Sequence, residues 1–414
     1  MNAKRFIRKS ALALLARSPK QLRHRLYREL LQLPPSPPEG LTIKFAETAD
    51  EYESAFKLLQ VSYADLGLSQ MDLEIRTTKY HLLPTTQVVI ATLKGQVVAT
   101  LTHIIDSALG LPIEDYTSIQ QLRECGEIIS EISSLAVDRD WRHNHGLFMY
   151  LTRFTLDHAI QNLGIDSWVI VTHPNARDFY EGLLCFEPLS EEVFSCDHVK
   201  GAAGFSQRLD LGKLKENFHK IYAGKPKSKN ILDFYFNENF DSVFKKPDVS
   251  IIPFSIMESQ LFENLFQKKS NTANVLSLGE RQVLENSYPT SMINTQRTLQ
   301  EASDTHRRIE KYRSPVFLPA MLSIGDQILP VRVINVSQKG ARVVSKHPLG
   351  PFEKGLLVLT HPDRGRFSVS VSGIWLRGQY EMGLRITSSY EWEHWSEQIA
   401  KSVARHQNKS RSAS

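Results

Sequence analysis

The sequence predicts an α/β domain followed by a small all-β barrel, and three observations carry that expectation. From Leu41 to about Gly224, strand-like runs alternate with segments of helical period. From about His306 onward, short runs of alternating apolar and polar residues lie between turns. A proline-rich break, "LPPSPPEG" at 33–40, separates a basic leader from both. Strands alternating with helices mark an α/β layout, whereas short strands punctuated by turns mark a barrel. At 414 residues the chain has room for two or three domains. The divisions that follow are a leader at 1–40, the α/β domain at 41–224, a connector at 225–300, the barrel at 301–392, and a helix and tail at 393–414.

The elements justify the layout in order. "LTIKFAET" reads as a strand, and Thr48 or Asp50 can cap the helix "ADEYESAFKLLQVSYADLG". "TQVVIATLKGQVVATLTHIID" reads as two strands around a Lys94-Gly95 turn, and "EIISEISSLAVD" as another strand. "GLFMYLTRFTLDHAIQNLG" places Leu147, Tyr150, Leu151, Phe154 and His158 at helical spacing and ends on Gly164. "DSWVIVTH" is a buried strand, and "PNARDFYEGLLC" a helix opened by Pro174. In the connector, "ILDFYFNENFDSVF" is aromatic enough to pack on something. "SSYEWEHWSEQIAKSVARHQ" closes the chain as a helix with a basic tail.

Charge and cysteine usage exclude several classes. The net charge of +5 sits in the leader: residues 1–40 hold nine basic side chains against Glu29 and Glu39, a local +7 that leaves −2 elsewhere. A nucleic-acid-binding domain face is therefore not expected. Cys125, Cys185 and Cys196 have no metal-ligand spacing, so neither a metal site nor a disulfide framework is expected, and a cytoplasmic location fits. "ALALLA" is too short for an export signal, and no run approaches the ~20 apolar residues that span a bilayer. Leu12, Leu15, Leu22, Leu26 and Leu30 fall on one face of a basic helix. Residues 1–30 can therefore lie on the anionic inner face of a membrane or dock on their own domain.

The stretch "EISSLAVDRDWRHNHG" (131–146) runs a polar strand into a loop with a single glycine, Gly146, behind His143, Asn144 and His145. A loop that cradled a pyrophosphate would carry several glycines, because backbone amides must approach phosphate closely. With "GLPIEDY" (110–116) and "THPNARDFYEGLLCFEPL" (172–189), this strand resembles the N-acyl amino acid synthases, a GNAT-fold family related to acyl-homoserine-lactone autoinducer synthases. The resemblance covers about two-fifths of the chain. It implies a cleft between two splayed parallel strands that receives an acyl-pantetheine arm. It also implies Glu131 as the base for an acceptor amine, Ser133 beside it for acceptor or oxyanion, and Tyr180 as the acid for the departing thiolate. Asn175 precedes Tyr180 as in the family's pattern, Cys185 stands where glycine is usual, and His173 is a weaker candidate base. Autoinducer synthases follow Glu-x-Ser with arginine; here that position is Ser134, which argues against a homoserine-lactone product. The poor loop favours acyl carrier protein over coenzyme A as donor, with Arg142 and Gly146 at the start of the next helix holding its single phosphate.

Residues 307–390 resemble the PilZ domain, a barrel that binds cyclic di-GMP. "NVSQKG" supplies Asn335, Ser337 and Gly340 of the family's (D/N)-x-S-x-x-G, and "HRRIEKYRSPVF" supplies Arg308 and Arg313. The family spaces its two arginines four apart; Ile309 occupies that place, so Arg308 stands one residue upstream. The reading is an acyltransferase with no permanent cofactor, regulated by cyclic di-GMP. Its rivals are a coenzyme A-dependent acetyltransferase and a non-catalytic cyclic di-GMP effector.

Overall fold

The computed structural model describes residues 18–69, 73–83, 86–107, 109–125, 127–142, 146–245, 263–281, 314–345, 347–361, 365–377, 379–387, 389–397 and 399. Ahead of the first sheet lies α1 (Lys20–Leu30). It docks through its basic face: Arg23 grips Asp178 at 2.7 Å, Lys20 reaches Glu181 at 2.5 Å, and Arg28 donates to the Gly182 carbonyl at 2.8 Å. Leu22 and Leu30 point elsewhere, 56 % and 71 % exposed, while Leu26 is half-buried.

The α/β domain is built on an eight-stranded mixed sheet in the order β1-β2-β3-β4-β5-β8-β6, with β7 also on β8. Strand β1 (Leu41–Phe45) leads into α2 (Ala49–Asp65), which Thr48 rather than Asp50 caps, in a reciprocal box with Glu51. Strands β2 (Thr86–Leu93) and β3 (Gln96–Ile105) form the expected hairpin. Lys94 and Gly95 both take positive φ, as a tight twisted turn requires. After a short α3 (Gln120–Glu124), β4 (Ile129–Val137) runs antiparallel to β3 and parallel to β5 (Ser167–Thr172). Between those two strands lies α4 (Leu147–Asp157), which widens into a π turn at His158–Leu163 and stops at left-handed Gly164. α5 (Arg177–Leu184) follows a 3-10 turn at Pro174–Ala176. β6 (Glu187–Pro188), β7 (Phe194–Cys196) and β8 (Ala202–Asp210) complete the sheet, and α6 (Leu211–Tyr222) covers its foot.

Alternation along the strands makes two cores, one on each face of the sheet. Trp168 and Ile170 face the core formed with α4 and α6, while Val169 and Val171 face the core formed with α2. The aromatic segment 231–244 completes the first of these, burying Phe234, Tyr235, Phe240 and Phe244. Tyr150 meets Phe234 and Phe240 with ring centroids 5.3 Å apart in each case.

The second unit is a closed antiparallel barrel in the order β10-β11-β14-β13-β12-β9. Its strands are β9 (Ser314–Ile324), β10 (Gln327–Ser337), β11 (Gly340–Ser345), β12 (Gly355–His361), β13 (Gly365–Arg377) and β14 (Glu381–Ile386). A helix over residues 390–397 crosses the expected boundary at 392 and seats Trp392 and Trp395 in the barrel's core. The Trp392 indole donates to the Ser337 carbonyl at 3.0 Å. Replacing fully buried Trp392 by Ala removes both the packing and that bond. The expected cost is about 3–5 kcal/mol, read as a lowered denaturant midpoint for the barrel's unfolding.

Candidate active site

The site begins with a fault in a strand. Ser133 pairs with Thr102 and Ala136 with Thr100, so Ser134 and Leu135 together oppose one residue of β3. Ser134 takes a φ of 51° to make this bulge. The bulge turns β4 away from β5: their ladder holds only from Ile129–Ser167 to Glu131–Val169 and then opens. A cavity of about 460 Å³ occupies the opening, a size suited to a small-molecule site. It passes through the sheet. Glu131, Ser133, Tyr116 and His198 line it on the α2 face, whereas Ile132, Phe148, Leu156, Trp168, Ile170 and Leu214 make an apolar sleeve on the other.

Glu131 is 2 % exposed. Its Oε2 accepts the Ile113 amide at 2.8 Å, and "GLPIEDY" is shaped to deliver that amide. Gly110 takes φ +73° where a Cβ would lie 2.6 Å from Glu114 Oε2, and the Glu114 carboxylate folds back onto the Leu111 amide at 2.8 Å. Arg123 braces the turn by binding Glu114 and Asp106, the latter at 2.7 Å. Behind Glu131, Ser130 meets His103 at 2.8 Å, and burial pushes that imidazole down to about 3, so it stays neutral. Burial pushes the Glu131 carboxyl up to about 8, the Ile113 amide opposes the shift, and the charges of Asp115 and Glu114 add to it.

The other expected residues divide. Ser133 and Tyr180 line the same cavity as Glu131. Burial pushes the Tyr180 phenol up to about 12, so it keeps its proton. His173 lines the mouth and accepts the Asn175 amide at 3.1 Å, which caps the turn before α5. Cys185 ends α5 in the left-handed conformation that normally favours glycine. Arg142 is not among the lining residues; it donates to the Val137 carbonyl at 2.9 Å and to Ser62 at 3.3 Å. Gly146 begins α4 at φ +61°, and a Cβ there would meet Pro34 at 2.7 Å, so packing alone demands glycine. His143, Asn144 and His145 lie outside the described residues.

Three features escape sequence reasoning. Tyr116 donates to or accepts from His198 Nδ1 at 2.7 Å and stacks on Phe194 at 4.7 Å. Arg76 lies 4.5 Å over the ring of Tyr63, another lining residue, and donates to the His198 carbonyl at 2.8 Å. Among the described residues no carboxylate pairs with Arg76. Finally, the barrel rests on the feet of β4 and β5. Arg332 lies against Gly164, where a Cβ would fall 1.6 Å from its Nη2, and is drawn by the charge of Asp166. Tyr380 donates its hydroxyl proton to the Glu124 carbonyl, and Glu381 shares an open polar cleft with Gly110, Glu114 and Asp115.

In the barrel, Asn335 sits at a β10 bulge, and Ser337 Oγ donates to the Gly340 carbonyl at 3.3 Å across the β10–β11 turn. A Cβ at Gly340 would lie 2.6 Å from the Leu384 carbonyl oxygen. Arg308 and Arg313 lie outside the described residues.

Comparison with known proteins agrees with this anatomy. Residues 54–210 match the family model described as N-acyl amino acid synthase FeeM, and residues 306–395 match that of the PilZ domain. The chain carries an N-acyl amino acid synthase domain followed by a PilZ domain. Solved structures similar to the synthase domain include FeeM, an N-acyl amino acid synthase from uncultured soil microbes, at 18% identity over 42% of this chain and 93% of that one, with a TM-score of 0.38. The AHL synthase LasI matches at 17% identity over 41% and 89%, with a TM-score of 0.31. Escherichia coli ElaA matches at 10% identity over 41% and 99%, with a TM-score of 0.29. No curated protein matches the chain. Both expected fold classes hold: a GNAT-like acyltransferase domain and an all-β PilZ barrel.

The buried carboxyl of the synthase domain makes stability depend on pH. Glu131 titrates near 4.5 when unfolded and near 8 when folded. Between those values the folded chain binds more protons, so stability falls as pH rises through the window. The loss is on the order of 4 kcal/mol. Urea unfolding at pH 5 and pH 8.5 should show it as the difference between the natural protein and Glu131→Gln, because buried neutral imidazoles such as His103 titrate on unfolding in both and with the opposite sign.

Proposed function

We propose that the protein moves a fatty acyl group from acyl carrier protein to the amine of an amino acid, under the control of cyclic di-GMP. The observation that carries this reading is the cavity through the splayed strands, with a carboxyl on one face and an apolar sleeve on the other. The sleeve suits an acyl chain, and the free edge of β5 suits a pantetheine arm entering as an added strand. The amide ends at the start of α4 beside Phe148 suit the arm's single phosphate, with Arg142 ending the short turn before them.

The chemistry follows from the positions. Glu131 as carboxylate takes a proton from the acceptor ammonium, and the freed nitrogen attacks the thioester carbonyl. The bulge at Ser134 and Leu135 leaves an amide outside the ladder to donate to the oxyanion, with Ser133 beside it. When the C–S bond breaks, the thiolate takes the Tyr180 proton and the nitrogen's second proton returns to the phenolate, leaving the amide. A carboxyl titrating near 8 suits the role, because a general base works best with a pKa near the operating pH. Arg76 supports an amino acid as acceptor: it brings positive charge without a described carboxylate partner to the face where Glu131 waits.

The barrel supports control by a nucleotide. β10 carries Asn335 and Ser337 near one end and Arg332 against the foot of β5, so a ligand at the motif acts on the strand that seats the barrel. The outward leucines of α1, Leu22 and Leu30, on a basic leader favour contact with an anionic membrane, where a lipid product belongs.

The test is mass spectrometry of lipid extracts from cells expressing the intact chain. A new N-acyl amino acid is expected, lost with Glu131→Gln, whose kcat/KM falls about 10²–10⁴-fold. With purified protein, carrier-protein thioesters should serve as donors and coenzyme A thioesters poorly. The rate should rise with pH up to about 8, as Glu131 loses its proton. Folded protein that makes no acylated amine with either donor refutes the reading. For control, Arg332→Ala should keep basal transfer and lose the response to cyclic di-GMP; an unchanged response places the coupling elsewhere.

A further inference from the structure

We infer that Tyr235, from the segment beyond the synthase match, closes the acyl sleeve and sets the length of chain it accepts. This rests on the acyltransferase reading. The synthase match ends at residue 210, yet the sleeve does not. Its wall on the sheet side is Trp168 and Ile170, two residues apart on one face of β5. α4 contributes Thr152 and Leu156 on one flank, and α6 contributes Leu214 and Phe218 on the other. Tyr235 belongs to no strand and lies across the gap between those helices, away from the sheet. Its ring centroid is 5.8 Å from that of Phe218, and its hydroxyl meets Thr152 Oγ1 at 2.6 Å.

Fixed in this way, the ring is a rigid end wall. It is 3 % exposed and lines the cavity. Its hydroxyl is satisfied by Thr152, which in turn bonds the Phe148 carbonyl at 2.8 Å. The wall is therefore tied to the helix whose start faces the mouth of the cavity. An acyl chain that reaches the ring meets a buried wall packed on Phe218 and Phe234, whereas each methylene accommodated short of it strengthens binding by about fourfold. The length at which that gain stops is where Tyr235 stands. The partner chemistry is a single unbranched acyl chain, buried tail first.

The experiment uses the full chain with a graded series of even-numbered acyl carrier protein thioesters and reads the length profile of the N-acyl product. Tyr235→Leu withdraws the outer half of the ring and should move the preferred length up by about two methylenes. Tyr235→Trp fills the sleeve and should move it down by a similar step. The paired design keeps the test decisive if one variant does not fold, as judged by its thermal melt. A folded variant of either kind that makes product with the natural profile overturns the assignment of Tyr235 and leaves the acyltransferase reading standing. No acylated amine from the natural protein overturns the acyltransferase reading, and this inference falls with it.

Discussion

Two residues of β4 stand opposite one residue of β3, and most of what is distinctive in the synthase domain follows from that mismatch. A bulge bends its strand and sharpens its twist, so β4 leaves β5 after three paired residues. Without the bend the two strands would zip to their ends and no path would cross the sheet. With it, the backbone of residues 170–172 has an edge free toward the opening, while β8 still holds the other edge as far as Thr172. One local distortion thus supplies both a passage and a strand edge, and it leaves the rest of the sheet intact. The energetic burden falls on Ser134, a residue with a Cβ in left-handed conformation.

The passage also explains why a carboxyl can be buried there. An isolated buried carboxylate is costly, and the chain answers with one backbone donor rather than a salt bridge. A lysine or arginine partner would hold Glu131 ionised and depress its pKa, which would weaken it as a base. A single amide leaves the carboxyl poised near neutrality, and the acids of the same turn push it further up. Arg123 engages Glu114 of that turn, and Asp106 beside it, and so fixes where the turn's charge lies. The turn at 110–116 is therefore an electrostatic device as much as a structural one.

Much of the layout was legible in the sequence. Lys94-Gly95 announced its hairpin, Gly164 its helix end, and the i, i+2 spacing of Glu131 and Ser133 their shared place beside the cleft. What stayed hidden depends on partners distant in the chain. Ser134 gives no sign of a left-handed backbone, because the bulge exists only against Leu101 and its neighbours. Tyr116, the last residue of "GLPIEDY", meets His198 from a segment far along the chain, and nothing local in the sequence announces that pair. The segment 231–244 has aromatic content but no strong period, so its packing was foreseeable and the place of Tyr235 in the apolar sleeve was not. The leader shows a further limit of pattern. Its pattern left open an anionic membrane surface or its own domain as partner, and in the fold Arg23 and Arg28 hold α5 while Leu22 and Leu30 turn outward.

The seat of the PilZ barrel bears on how two domains of separate ancestry could be coupled at all. A barrel resting on the cavity mouth would compete with any ligand for space. This one rests where β4 and β5 are still paired, on Gly164, Asp166 and Glu124. Asp166 binds the Ile128 amide through its side chain at 2.9 Å, and Ile128 leads directly into β4 three residues before Glu131. Glu381 reaches the same polar cleft as Glu114, whose turn carries the Ile113 amide. The two supports of the carboxyl, its strand and its hydrogen-bond donor, are thus both within reach of the barrel, and neither lies in the substrate's path. A small rotation of the barrel would alter the position of Glu131 against Ile113 without closing the cavity. Since that one bond opposes the upward push on the carboxyl, lengthening it would leave the carboxyl more fully protonated. Such a motion would act on the protonation of Glu131 and leave the cavity open.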